Sequence, residues 1–130
     1  HEFNNRIVVN QSFGSLPNIT CNPRQLNQLW LNLLINASEA QQNGAGEINI
    51  TTSREESAIS VSIEDSGRGI GKDDLKQVFD PGFTTKSRGT GTGLGLAICY
   101  QIVEAHKGKI EVKSQIGKGT KVTVSLPENS

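Results

Sequence analysis

The chain has no long hydrophobic run, no excess charge of either sign and only two cysteines. The longest apolar run, residues 29–35, is interrupted by Asn32 and is far shorter than the roughly 20 residues that a membrane-spanning helix needs. Thirteen acidic and thirteen basic side chains cancel, and no run of lysine and arginine suits a nucleic-acid backbone or an anionic membrane. These absences predict a soluble domain whose partners are neither nucleic acids nor lipids.

The two cysteines, Cys21 and Cys99, lie far apart in the sequence, without a Cys-x-x-Cys motif or a nearby pair of histidines. A cysteine-based metal site and a disulfide framework therefore both lack support. Because disulfides are rare in reducing compartments, we expect two free thiols in such a compartment. The length of 130 residues suits one domain, which would bury roughly two-thirds of the surface of its unfolded chain.

Glycine is abundant in one segment, since more than half of the 14 glycines lie between Asp65 and Leu96. Glycine lets the main chain approach a ligand and expose N–H groups to phosphate, but it weakens ordinary helices and strands. The segment therefore predicts a nucleotide site. Residues 71–73 read Gly-Lys-Asp and do not fit the Walker pattern. No strand leads into the alternating glycines of residues 89–95, as the dinucleotide fingerprint requires.

Hydrophobic periodicity predicts an order of strands, helix, strands, helix and strands. The predicted strands cover residues 7–13, 18–21, 47–53, 58–64, 109–114 and 120–126. One helix starts after the cap residue Asn22 and stops at Gly44, a second runs from Thr92 to His106, and residues 73–79 form a short helix between them. This order favours an α+β fold, with a layer of helices on one face of a sheet.

The first long helix has two distinct sides. Its core-facing stripe is formed by apolar residues at helical spacing, namely Leu26, Leu29, Trp30, Leu33, Leu34 and Ala37. Gln28, Asn32, Asn36 and Glu39 are spaced four, four and three residues apart and therefore share another side. One side packs while the other presents amides.

Four short motifs follow one another in an order and spacing typical of one family. They are Asn-Leu-Leu-Ile-Asn-Ala at residues 32–37, Asp-Ser-Gly-Arg-Gly-Ile at 65–70, Phe-Asp-Pro-Gly-Phe-Thr-Thr-Lys at 79–86 and Gly-Thr-Gly-Leu-Gly-Leu at 91–96. With them, nearly the whole chain resembles the ATP-binding catalytic domain of sensor histidine kinases, within the Bergerat-fold ATPase superfamily. The resemblance implies a two-layer α/β sandwich, with a mixed β-sheet, helices on one face and a long ATP lid. It also implies ATP and Mg²⁺ as cofactors.

Residues of the second motif, at 65–70, form most of the adenine end of the implied site. By resemblance, Asp65 accepts a hydrogen bond from the adenine amino group, and Thr120 helps through a water molecule. Gly67 and Gly69 let the backbone pass beside the base, and Ile70 supplies an apolar wall. Without the other motifs, Asp65 would read as an aspartate that opens a turn before glycine.

Residues of the other motifs form the phosphate end of the implied site. Asn36 is the expected magnesium ligand, because its amide oxygen is hard and uncharged and suits a cation that keeps several waters; Asn32, one turn earlier, orients the same cluster. Lys86 and Arg88 are expected to approach the terminal phosphates, with solvated loop cations as the alternative. The other implied contacts, including N–H groups at a helix start, are Thr85, Gly91, Thr92, Gly93, Leu94, Gly95 and Leu96.

The chain departs from the family pattern at two positions. Gly82 stands where relatives often have another aromatic residue, while Phe79 and Phe83 are expected to anchor the lid by burial. Glu39 stands where many relatives carry a basic residue, so a phosphate contact is not carried over to it.

Asn32 also separates two kinds of chemistry. Superfamily members that hydrolyse ATP carry a glutamate one helical turn before the magnesium asparagine, whereas this chain has Asn32 there. An amide cannot take a proton as a general base. Efficient hydrolysis is therefore disfavoured, and transfer to another acceptor is preferred, since phosphoryl transfer needs mostly positioning and charge neutralisation.

The implied phosphoacceptor histidine is not obviously present. His106 lies in the last turn of a predicted helix, where a partial positive charge is favourable. His1 opens a His-Glu-Phe triplet that resembles a phosphoacceptor box, but the helical hairpin that should follow is missing, which favours a tag or cloning remnant.

We therefore divide the chain into three parts. Residues 1–5 are a tag or linker remnant, or the end of a missing phosphoacceptor domain. Residues 6–127 form the histidine kinase ATP-binding catalytic domain, and residues 128–130 form a C-terminal tail. The partners that the resemblance implies are a histidine-bearing dimerisation domain of the same protein and the receiver domain of a response regulator.

The leading hypothesis is a protein histidine kinase domain that binds Mg-ATP and donates the γ-phosphate to that separate domain. We expect no direct membrane contact by this domain and a cytoplasmic location, with membrane anchoring of the full-length protein left open. One alternative is an anti-sigma-type serine protein kinase, against which the Gly-Leu-Gly-Leu-Ala-Ile sequence of residues 93–98 argues. The other is a non-catalytic nucleotide-sensing module of the same superfamily.

Overall fold

A computed structural model describes residues 7–13, 21–41, 46–80 and 95–128 of the chain. The strands are β1 (Ile7–Phe13), β2 (Gly46–Glu55), β3 (Ala58–Asp65), β4 (Lys109–Gln115) and β5 (Gly119–Pro127). The helices are α1 (Pro23–Glu39), α2 (Lys72–Leu75) and α3 (Gly95–Ala105). The predicted order of strands and helices is confirmed, but residues 18–20 and 92–94 lie outside the described residues and Cys21 is not in a strand. The short helix is also shorter than predicted, because residues 76–79 form turns instead of continuing it.

The strands form a single sheet in the order β1-β2-β3-β5-β4. Neighbours pair antiparallel except β1, which runs parallel to β2 with Ile7 opposite Gly46. The predicted mixed sheet is therefore confirmed. The two predicted hairpins, β2 with β3 and β4 with β5, both form.

Side chains on one face of the sheet form rows that run across the strands. Two of these rows are apolar except for one threonine. The first consists of Ile50, Ile63, Val122 and Val112, and the second of Thr52, Val61, Val124 and Ile110. Side chains of these rows form the hydrophobic core together with Leu29 and Leu33 of α1 and Ile102 and Val103 of α3. The helices thus cover one face of the sheet, as the α+β prediction requires.

Helix α1 starts as predicted and ends five residues earlier. The Asn22 side chain accepts a hydrogen bond from the Gln25 N–H at 3.1 Å, and Pro23 occupies the first turn. At the other end, the Glu39 and Ala40 carbonyls accept hydrogen bonds from the Arg68 side chain and the Arg68 N–H. Tertiary partners therefore end the helix before Gly44, which the sequence pattern does not reveal.

His106 follows α3 and has a different role from the predicted one. Its Nε2 accepts the Asn22 N–H at 3.1 Å, and its Nδ1 lies 2.9 Å from the Ile102 carbonyl oxygen. A backbone N–H can only donate, so Nε2 carries no proton and Nδ1–H donates to Ile102. Through these two contacts, the His106 ring ties the end of α3 to the start of α1.

Both cysteines are free, as predicted. Cys99 is fully buried in α3 with its Sγ 3.9 Å from the Leu29 carbonyl oxygen, and burial raises the pKa of its thiol to about 12. The thiol therefore stays protonated and packs as a small apolar group. Among the described residues, no helix is long and apolar enough to cross a membrane.

Candidate functional site

A polar row lies across the sheet at the end of the apolar rows. It consists of Asp65 at the end of β3, Thr120 beside it on β5, and Ser114 beside Thr120 on β4. Ile48 of β2 flanks Asp65 on the other side and is fully buried. Alternation places all of these side chains on the face that α1 and α3 cover. Asp65 is 7% exposed and Thr120 is 9% exposed, so an acid and a hydroxyl share a nearly dry position.

The Asp65 carboxyl is held by its own loop. Its Oδ1 accepts the Gly67 N–H at 2.8 Å. Burial raises the pKa of this carboxyl above its ordinary value, while hydrogen bonds from the backbone of Gly67 and Thr120 and the charge of Arg68 partly oppose the rise. Burying a carboxyl group costs folding free energy, which these hydrogen bonds only partly offset. Such a group is typical of a ligand-binding position.

Asp65→Asn should stabilise the fold increasingly as pH rises. The unfolded chain ionises Asp65 near pH 3.9, whereas the folded chain keeps the proton to higher pH because the folded pKa is raised. Between these two values the folded state binds more protons, so the aspartate form loses stability as pH increases. Urea unfolding from pH 4 to 8 should show the advantage of Asp65→Asn growing and then levelling off. An advantage that shrinks with pH would contradict the raised pKa.

The glycine motif at residues 65–70 is clamped between α1 and the turn that joins β4 to β5. A Cβ atom at Gly67 would lie 2.3 Å from the Ala40 carbonyl oxygen. Gly69 has φ +77°, and a Cβ atom there would lie 2.0 Å from the Gln115 carbonyl oxygen. Neither contact leaves room for a side chain, and a φ in this region favours glycine. Close packing therefore requires glycine at both positions. The predicted role, which is to let the backbone pass beside the base, is a second reason for these glycines.

Arg68, between these glycines, connects three elements. Its Nη2 donates to the Glu39 carbonyl at 2.9 Å and its N–H donates to the Ala40 carbonyl at 3.0 Å. Its own carbonyl accepts the Gly117 N–H at 2.8 Å. A cation at the end of α1 also complements the helix dipole. The end of α1 is thereby fixed against the loop that follows Asp65.

This contact brings the amide side of α1 near the polar row. Asn36 lies one turn before Ala40, about 6 Å along the helix axis, and Asn32 lies one turn further back. Both side chains are half-buried. An amide oxygen in such a position fits Mg²⁺, which takes few protein ligands and keeps waters and phosphate oxygens. The structure thus places the predicted adenine residues and the predicted magnesium residue on adjoining elements, and their roles stay predictions.

The remaining predicted site residues divide between α3 and the part of the chain outside the described residues. Outside the described residues lie Thr85, Lys86, Arg88, Gly91, Thr92, Gly93 and Leu94, together with Gly82 and Phe83 of the predicted lid. Gly95 opens α3 and Leu96 is half-buried behind it. Phe79 packs on Tyr100 of α3, with ring centroids 5.2 Å apart. This contact agrees with the expected packing role of Phe79.

Two residues that the sequence did not single out as site residues hold the site together. Gln41 is 6% exposed and its Nε2 donates to the Glu47 carbonyl at 3.1 Å, which joins the end of α1 to β2. Ser114 contacts Thr120 and the glycine motif. The sequence did offer a signal for Ser114. Alternation puts it on the core-facing side of β4 with Ile110 and Val112, where a serine is unusual.

The family follows from a sequence model described as histidine kinase-, DNA gyrase B- and HSP90-like ATPases, which matches residues 21–130. The chain belongs to this family of ATPases. The predicted family and fold class are thereby confirmed.

Within this ATPase family, the chain is similar to sensor histidine kinases. Sensor histidine kinase ZraS of Escherichia coli K12 is 47% identical over 116 residues, which are 88% of this chain and 24% of ZraS. The catalytic domain of histidine kinase ThkA has a TM-score of 0.82 at 30% identity, covering 95% of this chain and 80% of that chain. Full-length ShkA in complex with AMPPNP has a TM-score of 0.81 at 28% identity, covering 94% of this chain and 26% of that chain. The chain thus matches the catalytic domain and spans only a quarter of ZraS.

Proposed function

We propose that this chain binds Mg-ATP, with adenine at Asp65 and magnesium at Asn36, and donates the γ-phosphate to a histidine on a separate dimerisation domain. A response regulator would then receive the phosphoryl group. The observation that carries the proposal is the buried polar row. Its Asp65 acceptor opens the glycine motif at residues 65–70, and Arg68 of that motif is hydrogen-bonded to the end of α1.

The adenine end supports the proposal through its hydrogen-bonding capacity. Asp65 uses Oδ1 for the Gly67 N–H, and a carboxylate has further acceptor sites. An exocyclic amino group is a donor that fits them. In a nearly dry position, each such hydrogen bond discriminates strongly against a ligand that cannot make it.

The phosphate end supports transfer rather than hydrolysis. Asn36 would hold Mg²⁺, which supplies charge neutralisation for the phosphates when bound. Asn32 precedes it by one turn on the same side of α1 and cannot act as a general base. The chain would then orient the nucleotide and leave the choice of acceptor to another domain. Such a reaction places the domain in the cytoplasm, where ATP is available.

Phosphotransfer can be measured with γ-labelled ATP, magnesium and a purified histidine-bearing dimerisation domain. We expect label on that histidine, and none when the histidine is replaced by alanine. We also expect little label on the catalytic domain alone. Absence of label on the intact acceptor, from a domain that binds ATP, would contradict the kinase proposal and favour a nucleotide-sensing module.

A further inference from the structure

The last turn of α1, which carries Asn36, is held by a residue from outside the helix. This turn contains no lysine, arginine or histidine, and its cap residue Ala40 has a helical φ of −76° instead of the positive φ of a glycine cap. The last carbonyl groups of a helix have no partner within it. Here the Glu39 carbonyl accepts a hydrogen bond from Arg68 Nη2 at 2.9 Å, and the Ala40 carbonyl accepts the Arg68 N–H at 3.0 Å. One residue of the glycine motif therefore caps the end of α1 twice.

This cap lies next to the predicted magnesium ligand. The Ala40 N–H donates to the Asn36 carbonyl at 3.0 Å, so one hydrogen bond joins the capped residue to Asn36. Helix ends fray when nothing holds them. Fraying of this turn would move the Asn36 side chain relative to the sheet. By holding the turn, Arg68 restricts the position of the side chain that is proposed to bind magnesium.

The same residue also belongs to the adenine end. Arg68 follows Asp65 by three residues, and the Gly67 N–H between them donates to the Asp65 carboxyl at 2.8 Å. The Arg68 carbonyl accepts the Gly117 N–H at 2.8 Å, which fixes this loop to the β4–β5 hairpin. The loop that is proposed to pass beside the base and the turn that carries Asn36 are thus joined through Arg68.

We propose that Arg68 is a positioning residue that couples the adenine end of the site to the magnesium end. The inference rests on the proposed binding of adenine at Asp65 and of magnesium at Asn36. A nucleotide gains affinity from both ends only if they are held at the spacing that the nucleotide spans. Without the guanidinium of Arg68, the last turn of α1 loses one of its two caps and this spacing is held less firmly.

The magnesium gain distinguishes this positioning role from a merely structural one. The magnesium gain is the Kd for ATP in EDTA divided by the Kd for ATP in magnesium. The charge of Arg68 also acts on the Asp65 carboxyl, so its removal can change ATP binding at the adenine end. Such a change, or a general disturbance of the loop, weakens ATP binding alike in both conditions and cancels in the ratio. Fraying of the turn that carries Asn36 lowers the ratio itself.

Calorimetry on Arg68→Met measures this effect. Methionine keeps an unbranched side chain and the backbone hydrogen bond to Ala40, and it removes only the guanidinium. The magnesium gain should fall about fivefold, the size of one hydrogen bond. Arg54→Met is the matched control, because Arg54 also has a partner, Glu128, but lies at the far end of the β2–β3 hairpin. In this control the magnesium gain should stay within about twofold of the unmodified value.

If Arg68→Met does not fold, amide hydrogen exchange in the unmodified domain still decides. Adenosine carries the base but no phosphates, so it cannot reach Asn36 through a bound metal. When adenosine saturates the domain, exchange of the Ala40 N–H should slow, because Arg68 connects the loop beside the base to that turn. Unchanged exchange at Ala40 would overturn the inference.

A magnesium gain in folded Arg68→Met within about twofold of the unmodified value would equally overturn the inference. Absence of ATP binding by the unmodified domain, or of any magnesium gain in it, would instead overturn the proposed function itself.

Discussion

Asp65→Asn is expected to raise the Kd for ATP roughly 30- to 150-fold. The asparagine Oδ1 can keep the hydrogen bond from the Gly67 N–H, but its NH₂ group then replaces the acceptor that would face the adenine amino group. Two donors would meet in a position where Asp65 is only 7% exposed. A lost hydrogen bond to a buried charged group costs about 2–3 kcal/mol, which corresponds to that range of Kd.

Calorimetry with ATP and thermal unfolding of the same sample separate binding from folding. Glu64→Gln is the matched control, because it makes the same chemical change at an exposed neighbouring position on β3. The control should bind ATP within about twofold of the unmodified domain, since an exposed surface change has little effect. A folded Asp65→Asn variant that binds ATP as tightly as the unmodified domain would remove Asp65 from the adenine site.

Asn36→Ala is expected to lower the rate of phosphotransfer on the order of 100-fold or more, because metal-assisted charge stabilisation contributes several kcal/mol. The same variant should lose most of the difference in ATP affinity between magnesium and EDTA. Asn27→Ala is the matched control, since it makes the same substitution at an exposed position of the same helix.

For Asn36→Ala, the magnesium dependence of ATP affinity is a sharper test than the rate of phosphotransfer, because it also distinguishes this variant from Asp65→Asn. Asp65→Asn should weaken ATP binding with and without magnesium, whereas Asn36→Ala should act mainly when magnesium is present. If the magnesium dependence of ATP affinity survives Asn36→Ala, the metal assignment is wrong.

Local sequence patterns predicted the elements that depend on periodicity. Alternation predicted the two hairpins within a few residues of β2, β3, β4 and β5, and the stripe from Leu26 to Ala37 predicted α1. The family resemblance predicted Asp65 and Thr120 as members of one site, and the register places them side by side. These features are encoded by residues close together in the chain or by motifs of fixed spacing.

Other features depend on partners that are distant in sequence. The end of α1 is fixed by Arg68, which lies 29 residues from Glu39, and the Ser114 hydroxyl contacts Ile70 across 44 residues. The parallel pairing of β1 with β2 and the contact of the His106 ring with Asn22 likewise need the folded arrangement. A single sequence shows the chemistry available at such positions, but not which groups meet.

The central claim is that Asp65 and Asn36 bind opposite ends of one purine nucleotide. A crystal structure of the domain with magnesium and a non-hydrolysable ATP analogue tests it most directly. The account predicts the 6-amino group within hydrogen-bonding distance of an Asp65 oxygen and the metal bound to the Asn36 amide oxygen. A base bound elsewhere, or a metal that does not contact Asn36, would contradict the account.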